Sequence, residues 1–300
     1  MKTLILINIR KIALMFAMLF IFSIYPSASH SADVIILGNS KLKPVADVIN
    51  GIQRTIRADI TVISNEDEYK SIESIVRKEN ASAVIALGTD AAGYALSLPE
   101  SIPVVYGLLI DPLETDRKNI TGVYMSTPIS EYIFYIKKNF PDIKKIGIIC
   151  PQAQKKQLEH HGTTLEIEFR VANNPYEFID RLSSLSGNID AFVLLPERDL
   201  ITTKVLEKLY LFSFKEKIPV IGISEKYVKI GSLFSLGFDT TEMGMQIGEM
   251  ANMVLSKGSA SGIPQSHPDR LDLYINSSTS EAMRVNMPET LLKTAKKVYP

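Results

Sequence analysis

Little in this chain supports chemistry of its own. Of its 300 residues one is a cysteine, Cys150, which excludes an intramolecular disulfide. A lone thiol neither supports nor excludes an oxidising compartment. No Gly-x-Gly-x-x-Gly follows a strand-like run and no Gly-x-x-x-x-Gly-Lys-Ser/Thr occurs, so no phosphate cradle for a nucleotide is offered. The Gly-x-Ser-x-Gly nucleophile elbow is missing too. No nucleophile–base pair stands out. His160-His161 are adjacent, point different ways and have no cysteine or carboxylate cluster beside them, so no metal and no cofactor is expected. An excess of positive charge is also absent. The 33 basic residues match 33 acidic ones, which is no footprint for nucleic acid. After Tyr25 no apolar run approaches the roughly 18 residues of a membrane span.

What is present begins with an address. Lys2, Arg10 and Lys11 precede an apolar run of 14 residues, Ile12 to Tyr25, interrupted only by Ser23. Pro26 to Ala32 then supplies small residues, so 1–32 is expected to be a secretory signal peptide. An uncleaved N-terminal anchor is the alternative. The cut falls after Ser29, Ser31 or Ala32; the last leaves His30 where a small residue is preferred. No cysteine follows the run to accept a lipid. Without this segment the chain is mildly acidic and about the size of two ordinary domains.

The centre of the remainder is Ala83-Val84-Ile85-Ala86-Leu87-Gly88-Thr89-Asp90-Ala91-Ala92-Gly93. It reads as a buried parallel strand, a tight turn and a helix, with Thr89 or Asp90 as cap. Free amides at such a turn favour an anion such as a carboxylate. Around it, strand-like runs at 33–37, 60–63 and 102–107 alternate with helical spacing at 44–57 and 66–79. Asn119 to Met125 is extended, and Thr127 is expected to cap a helix running to about Phe140 with Pro128 in its first turn. The pattern then repeats. Strands at 145–150, 165–171, 190–195 and 218–223 alternate with helices, and Ile218-Pro219-Val220-Ile221 echoes Ile102-Pro103-Val104-Val105. Gly231 to Phe238 is a further strand, Asp239 or Thr240 caps a long helix to about Lys257, and Gly258-Ser259-Ala260-Ser261-Gly262 reads as a flexible linker. Leu271 to Asn276 alternates as a strand, and two short helices broken at Met287-Pro288 follow.

Short alternating strands and helices mean parallel sheets covered on both faces. The expected fold is α/β, with two Rossmann-like lobes joined by a three-crossing hinge: 33–123 with about 238–271, and 124–237 with about 272–300. Pockets favour domain interfaces and the carboxyl ends of parallel strands, and both rules point to the cleft between the lobes.

Several segments carry a family resemblance: Ile85 to Ala92, Ile102 to Tyr106 with Asp111-Pro112, Asn119 to Val123, and Phe140 to Gly147. To these the C-terminal part adds Ile218-Pro219-Val220, Val228 to Gly231, Asp239 with Gly244, Leu273-Tyr274-Ile275-Asn276 and Met287 to Leu292. Their order and spacing resemble the ABC-transporter substrate-binding family that includes the tryptophan/tyrosine-type binding proteins. The resemblance implies a type I periplasmic binding fold, a periplasmic location, an ABC permease partner in the inner membrane, and no enzymatic activity. Two departures flank the expected cleft. The segment from Gln152 to Leu165 is short and polar, and Glu197-Arg198-Asp199 stands where many relatives carry Asp-Asn. The family's aromatic amino-acid ligand is therefore not carried over.

The candidate ligand-binding residues of the first lobe are Asn39, Ser40, Gly88, Thr89, Asp90, Tyr106 and Asp111; those of the second are Pro151, Gln152, Glu197 and Ser224. Each has a plainer reading: capped loops for Asn39 and Ser40, a core tyrosine with a satisfied hydroxyl for Tyr106, a turn for Asp111, a surface ion pair with Arg198 or Lys204 for Glu197. The functional expectation is a monomeric solute-binding protein that closes on a small amino-acid-like ligand. Its carboxylate would lie near Thr89 and its amine at Glu197 or Asp111. The alternative is a ligand-sensing subunit that docks on a membrane receptor.

Overall fold

The computed structural model describes residues 33–159, 165–197 and 199–300; the N-terminal apolar segment, the His160-His161 pair and Arg198 lie outside the described residues. The first sheet takes Val34–Leu37 (β1), Ile60–Ile63 (β2), Ala83–Leu87 (β3), Val104–Leu109 (β4) and Ile120–Tyr124 (β5) in the order β2-β1-β3-β4-β5, all parallel. The second takes Lys145–Cys150 (β6), Glu166–Val171 (β7), Ala191–Val193 (β8), Val220–Gly222 (β9), Phe234–Gly237 (β10), Asp272–Asn276 (β11) and Lys297–Tyr299 (β12) in the order β12-β11-β10-β9-β8-β6-β7. Among the described residues, only the β10–β11 pair is antiparallel. This is the two-lobed α/β architecture the sequence implies.

The unbroken apolar strands follow from burial on both faces. Val34 and Ile36 pack on one side of β1, against Val48 and Ile52 of helix Lys43–Thr55 (α1). Ile35 and Leu37 pack on the other, against Tyr69, Ile72 and Val76. The second sheet divides the same way. Ile146 and Ile148 face helix Ile129–Asn139 (α5), while Ile149 and Phe192 face Phe178 and Leu182.

The long helix Thr240–Lys257 (α10) follows β10 of the second sheet yet packs on α1 of the first lobe. Two glycines allow it. A Cβ on Gly51 would lie 2.0 Å from the Thr241 carbonyl oxygen, and one on Gly244 2.1 Å from that of Val48. The two backbones therefore touch. Thr55 Oγ1 donates to the Met245 carbonyl, and Asn252 bonds the backbone of both Thr55 and Arg57. After α10 the chain runs along β5, where Ser266 bridges Val123, and then returns to the second sheet at β11. With the passage after β5, the chain crosses between the lobes three times.

Four local expectations need correction. The helix read over 66–79 is two, Glu66–Tyr69 (α2) and Ile72–Glu79 (α3). Their apolar spacing runs on across the break, so periodicity did not reveal it. Thr127 does not cap α5; Pro128 is its N-cap, and the Thr127 side chain bonds the Tyr132 hydroxyl instead. The segment 258–262 is no flexible linker. Gly258 ends α10 in a left-handed cap at φ 64°, the Ser259 amide donates to the Val254 carbonyl, and Ala260 is buried. Finally, the two short helices expected after β11 are not the end of the fold: β12 follows them, and its Lys297 and Tyr299 carry no apolar signal.

Gly244→Ala is expected to destabilise the protein by about 2–3 kcal/mol in urea unfolding, because the new methyl meets backbone that cannot move aside. Gly93 lies in the helix Thr89–Ala95 (α4) with open space where a Cβ would sit. Gly93→Ala is expected to gain about 0.5–1 kcal/mol in the same assay.

Candidate functional site: the cleft between the lobes

The residues that follow β4 in one lobe and β8 and β9 in the other line a common space. A cavity of about 370 Å³ lies there beside the crossing strands. Ile110 lines it from the first lobe, Met125 and Thr127 from the segment that crosses after β5, and Leu194, Leu195, Ile223 and Tyr274 from the second lobe. Ser224, the N-cap of the short helix Glu225–Lys229 (α9), opens onto it without capping that helix through its side chain. Glu225 lines it too, tied back by Lys229 at 3.1 Å and by a hydrogen bond from the Tyr299 hydroxyl. No lysine or arginine is among its described lining residues.

The end of β4 is shaped for this cleft. The register with β5 shifts between Gly107 and Leu109, and the extra residue, Leu108, sits at φ 59°. That conformation is costly for a leucine and persists only where the surroundings over-determine it. They do so here: the Met125 and Ser126 amides donate to the Leu109 and Ile110 carbonyls, both at 2.7 Å. The bulge leaves Ile110 partly exposed and leads the chain to the exposed Asp111.

Across from it, Glu197 follows the Leu194-Leu195-Pro196 run after β8. Burial pushes its carboxyl above the usual glutamate range, the charges of Asp111 and Asp199 push the same way, and a hydrogen bond from the Gln154 side chain opposes them. Carboxylates from opposite lobes, at Asp111 and Glu197, thus share one electrostatic environment. Gln154 belongs to helix Gln152–Glu159 (α6), and its Oε1 is buried without a hydrogen-bond partner. Burial, then the charge of Asp111, also raises the Tyr124 hydroxyl.

The remaining candidates divide. Gly88, at φ 92°, is itself the N-cap of α4, and no side chain caps it, so neither Thr89 nor Asp90 plays the expected part. Both are exposed residues of the first turn, and their amides, with that of Ala91, have no partner within the helix. Asn39 closes its own loop, accepting from the Lys41 amide and donating to Glu66, and Ser40 meets the Ser64 hydroxyl at 2.7 Å. Pro151 and Gln152 open α6 at the tip of β6. Tyr106 is the core tyrosine of its plainer reading. It is 0% exposed, its hydroxyl donates to Gln265, and burial pushes that hydroxyl up to about 12. Sequence reasoning missed Gln154, Ile110 and Met125. Gln154 was visible only as one polar residue in a polar segment.

A second set of charges lies at the start of α10. Asp239 caps α10 by accepting from the Thr241 and Glu242 amides, as expected of it. Lys296 reaches Asp239 at 3.3 Å and Asp272 at 2.6 Å. Burial would raise the Asp239 carboxyl, but the Glu242 amide, the Lys296 ammonium and the Thr241 amide together hold it low. Among the described residues no group of three or more His, Cys, Asp or Glu could hold a metal, and no helix is long and apolar enough to cross a membrane.

The family model for ABC transporter substrate-binding proteins matches residues 34–299, which is nearly all of the described chain. The chain belongs to that family. Its members are non-catalytic solute-binding proteins. This member is 26% identical over 238 residues to a tyrosine-binding protein of Clostridioides difficile, an alignment that takes in 71% of this chain and 66% of that one. Among solved structures it is similar in fold to a substrate-binding protein with adhesive properties from Clostridium difficile, in a ligand-free, open form. That match has a TM-score of 0.63 and 19% identity, covering 89% of this chain and 98% of the other. It is similar also to an ABC domain from Streptococcus pneumoniae in complex with L-Trp, with a TM-score of 0.54 and 20% identity, covering 88% and 99%. At these identities the solved structures speak for the fold alone.

The raised Glu197 has a signed consequence for stability. Its folded-state pKa lies above the unfolded one, so its contribution is fully present below the ordinary value of about 4.3 and is lost as pH rises through the raised value. Glu197→Gln removes that loss. Without added solute the variant is expected to melt about 1–2 °C above the parent near neutral pH, a small gain because solvent screens a half-exposed carboxylate. The two melting temperatures are expected to converge in acid. Tyr106→Phe is expected to cost about 1 kcal/mol of stability and to leave solute affinity unchanged, as befits a core residue.

Proposed function

We propose that this member of the substrate-binding family is the solute receptor of an ABC importer, exported to the periplasm and presented as a monomer to a permease. In this reading the lobes are 33–123 with about 238–271, and 124–237 with about 272–300. The solute is a small amino-acid-like molecule. The observation that carries this is the pairing of Asp111 and Glu197 from opposite lobes beside an apolar cavity of about 370 Å³. That is the complement of an ammonium group attached to an apolar body. The free amides at Thr89, Asp90 and Ala91 suit its carboxylate. The tyrosine-binding relative supports the amino-acid class.

Contacts to both lobes form together only when the cleft is shut, so the solute shifts the hinge equilibrium toward closure by its differential affinity. Micromolar binding corresponds to about 8 kcal/mol. A thermal-shift screen of residues 33–300 against amino acids, nucleosides and small peptides tests the proposal. A true solute at a hundred times its Kd is expected to stabilise the protein by about 2.7 kcal/mol, a shift of several degrees. No shift with any small solute counts against the reading.

A further inference from the structure

The cavity beside the crossing strands is mostly apolar, and some of its polar side chains are already engaged. The Tyr132 hydroxyl donates to the Gly222 carbonyl at 3.3 Å, with that of Leu236 at 3.4 Å, and Thr240 Oγ1 donates to Asp47. Ser126, Ser224 and Tyr274 bring hydroxyls, which donate or accept as a ligand requires. Glu225 differs from all of these. It supplies the one carboxylate among the described lining residues, and an ionised carboxylate can only accept.

Two donors fix how Glu225 is held, and both use the same oxygen. Its Oε1 meets the Lys229 ammonium at 3.1 Å and accepts from the Tyr299 hydroxyl. Tyr299 belongs to β12, and the Lys229 and Lys297 ammoniums lie 5.4 and 4.8 Å from its ring centroid. The Tyr299 hydrogen bond and then Lys229 hold the Glu225 carboxyl below the usual glutamate range, so it is ionised at neutral pH. Among the described residues no hydrogen bond reaches Oε2. With Lys229 beside it the carboxylate is already matched in charge. What stays open is an acceptor for a neutral N–H or O–H rather than a seat for a further cation.

Resting on the solute-binding reading, we propose that Glu225 determines specificity inside the cavity: its Oε2 accepts from a neutral N–H or O–H carried on the otherwise apolar side chain of the solute, and Tyr299 is the positioning residue that holds Oε1. A side chain of the same shape without a donor fits the apolar walls. Closing the lobes on it strips water from Oε2 and returns no partner, which is how a polar site rejects an isostere. One substitution reverses the polarity. In Glu225→Gln the amide oxygen takes the place of Oε1, because Lys229 and Tyr299 both donate there, and the amide NH2 then stands where Oε2 stood.

Calorimetric titration of residues 33–300 with matched pairs tests this: L-tryptophan against benzothienyl-L-alanine, L-tyrosine against para-fluoro-L-phenylalanine, and L-glutamine against L-methionine. The first member of each pair carries a donor and the second does not. At least one donor member is expected to bind, about tenfold or more tightly than its partner. Glu225→Gln is expected to abolish or invert that preference with the fold intact by circular dichroism. Tyr299→Phe is expected to narrow it by a smaller factor. A donorless partner that binds as tightly in the parent, or a preference that survives Glu225→Gln, overturns the assignment and leaves the solute-binding reading standing. If no member binds but another small solute stabilises the protein, the same substitution is applied to that solute: lost affinity supports Glu225, and unchanged affinity refutes it. If no small solute acts in either experiment, both readings fall.

Discussion

The contact on which the molecule's organisation depends is the close approach of α1 and α10 at Gly51 and Gly244. Any side chain at either position would force the helices apart. With glycine at both, the main chains touch, and residues 240–257 cover the first sheet although they follow a strand of the second. That placement sends the chain across the gap and back again, which is what turns a tail into a hinge. A hinge with three strands constrains relative motion of the lobes to opening and closing, and the chemistry of the site follows from that motion.

Two sets of charges differ in what surrounds them. Lys296 is shared between Asp239 at the start of α10 and Asp272 at the start of β11, with Arg270 paired to Glu242 beside them. Positive and negative charges there are matched, partly exposed and individually weak. At Glu197, burial and the charges of Asp111 and Asp199 act together to raise the carboxyl. The bulge at Leu108 is a local cost in backbone conformation, and it leads the chain to Asp111.

Much was legible from order alone. Alternating apolar runs and helical spacing imply parallel sheets, and the echo of Ile102-Pro103-Val104-Val105 in Ile218-Pro219-Val220-Ile221 implies two like halves, because local periodicity reports how many faces of a segment are buried. The Asp239 cap was readable for the same reason: a short acceptor placed directly before a helix acts within its own turn. Where neighbouring signals competed, local reading failed. Thr127 had the cap chemistry, but Tyr132 claimed its hydroxyl. Thr89 and Asp90 had it too, but Gly88 alone fits the positive φ of that position.

The sequence by itself determined the class of fold, the strand tips and which loops carry polar side chains, since each depends on residues a few places apart. Only the tertiary structure decided that α10 serves the first lobe, that Tyr106 belongs to the core through Gln265, that Lys297–Tyr299 completes the second sheet, and that Asp111 acts on Glu197. Each of those joins residues far apart in the chain. Their meeting depends on how whole helices and sheets pack, and a pattern read along one dimension does not contain it.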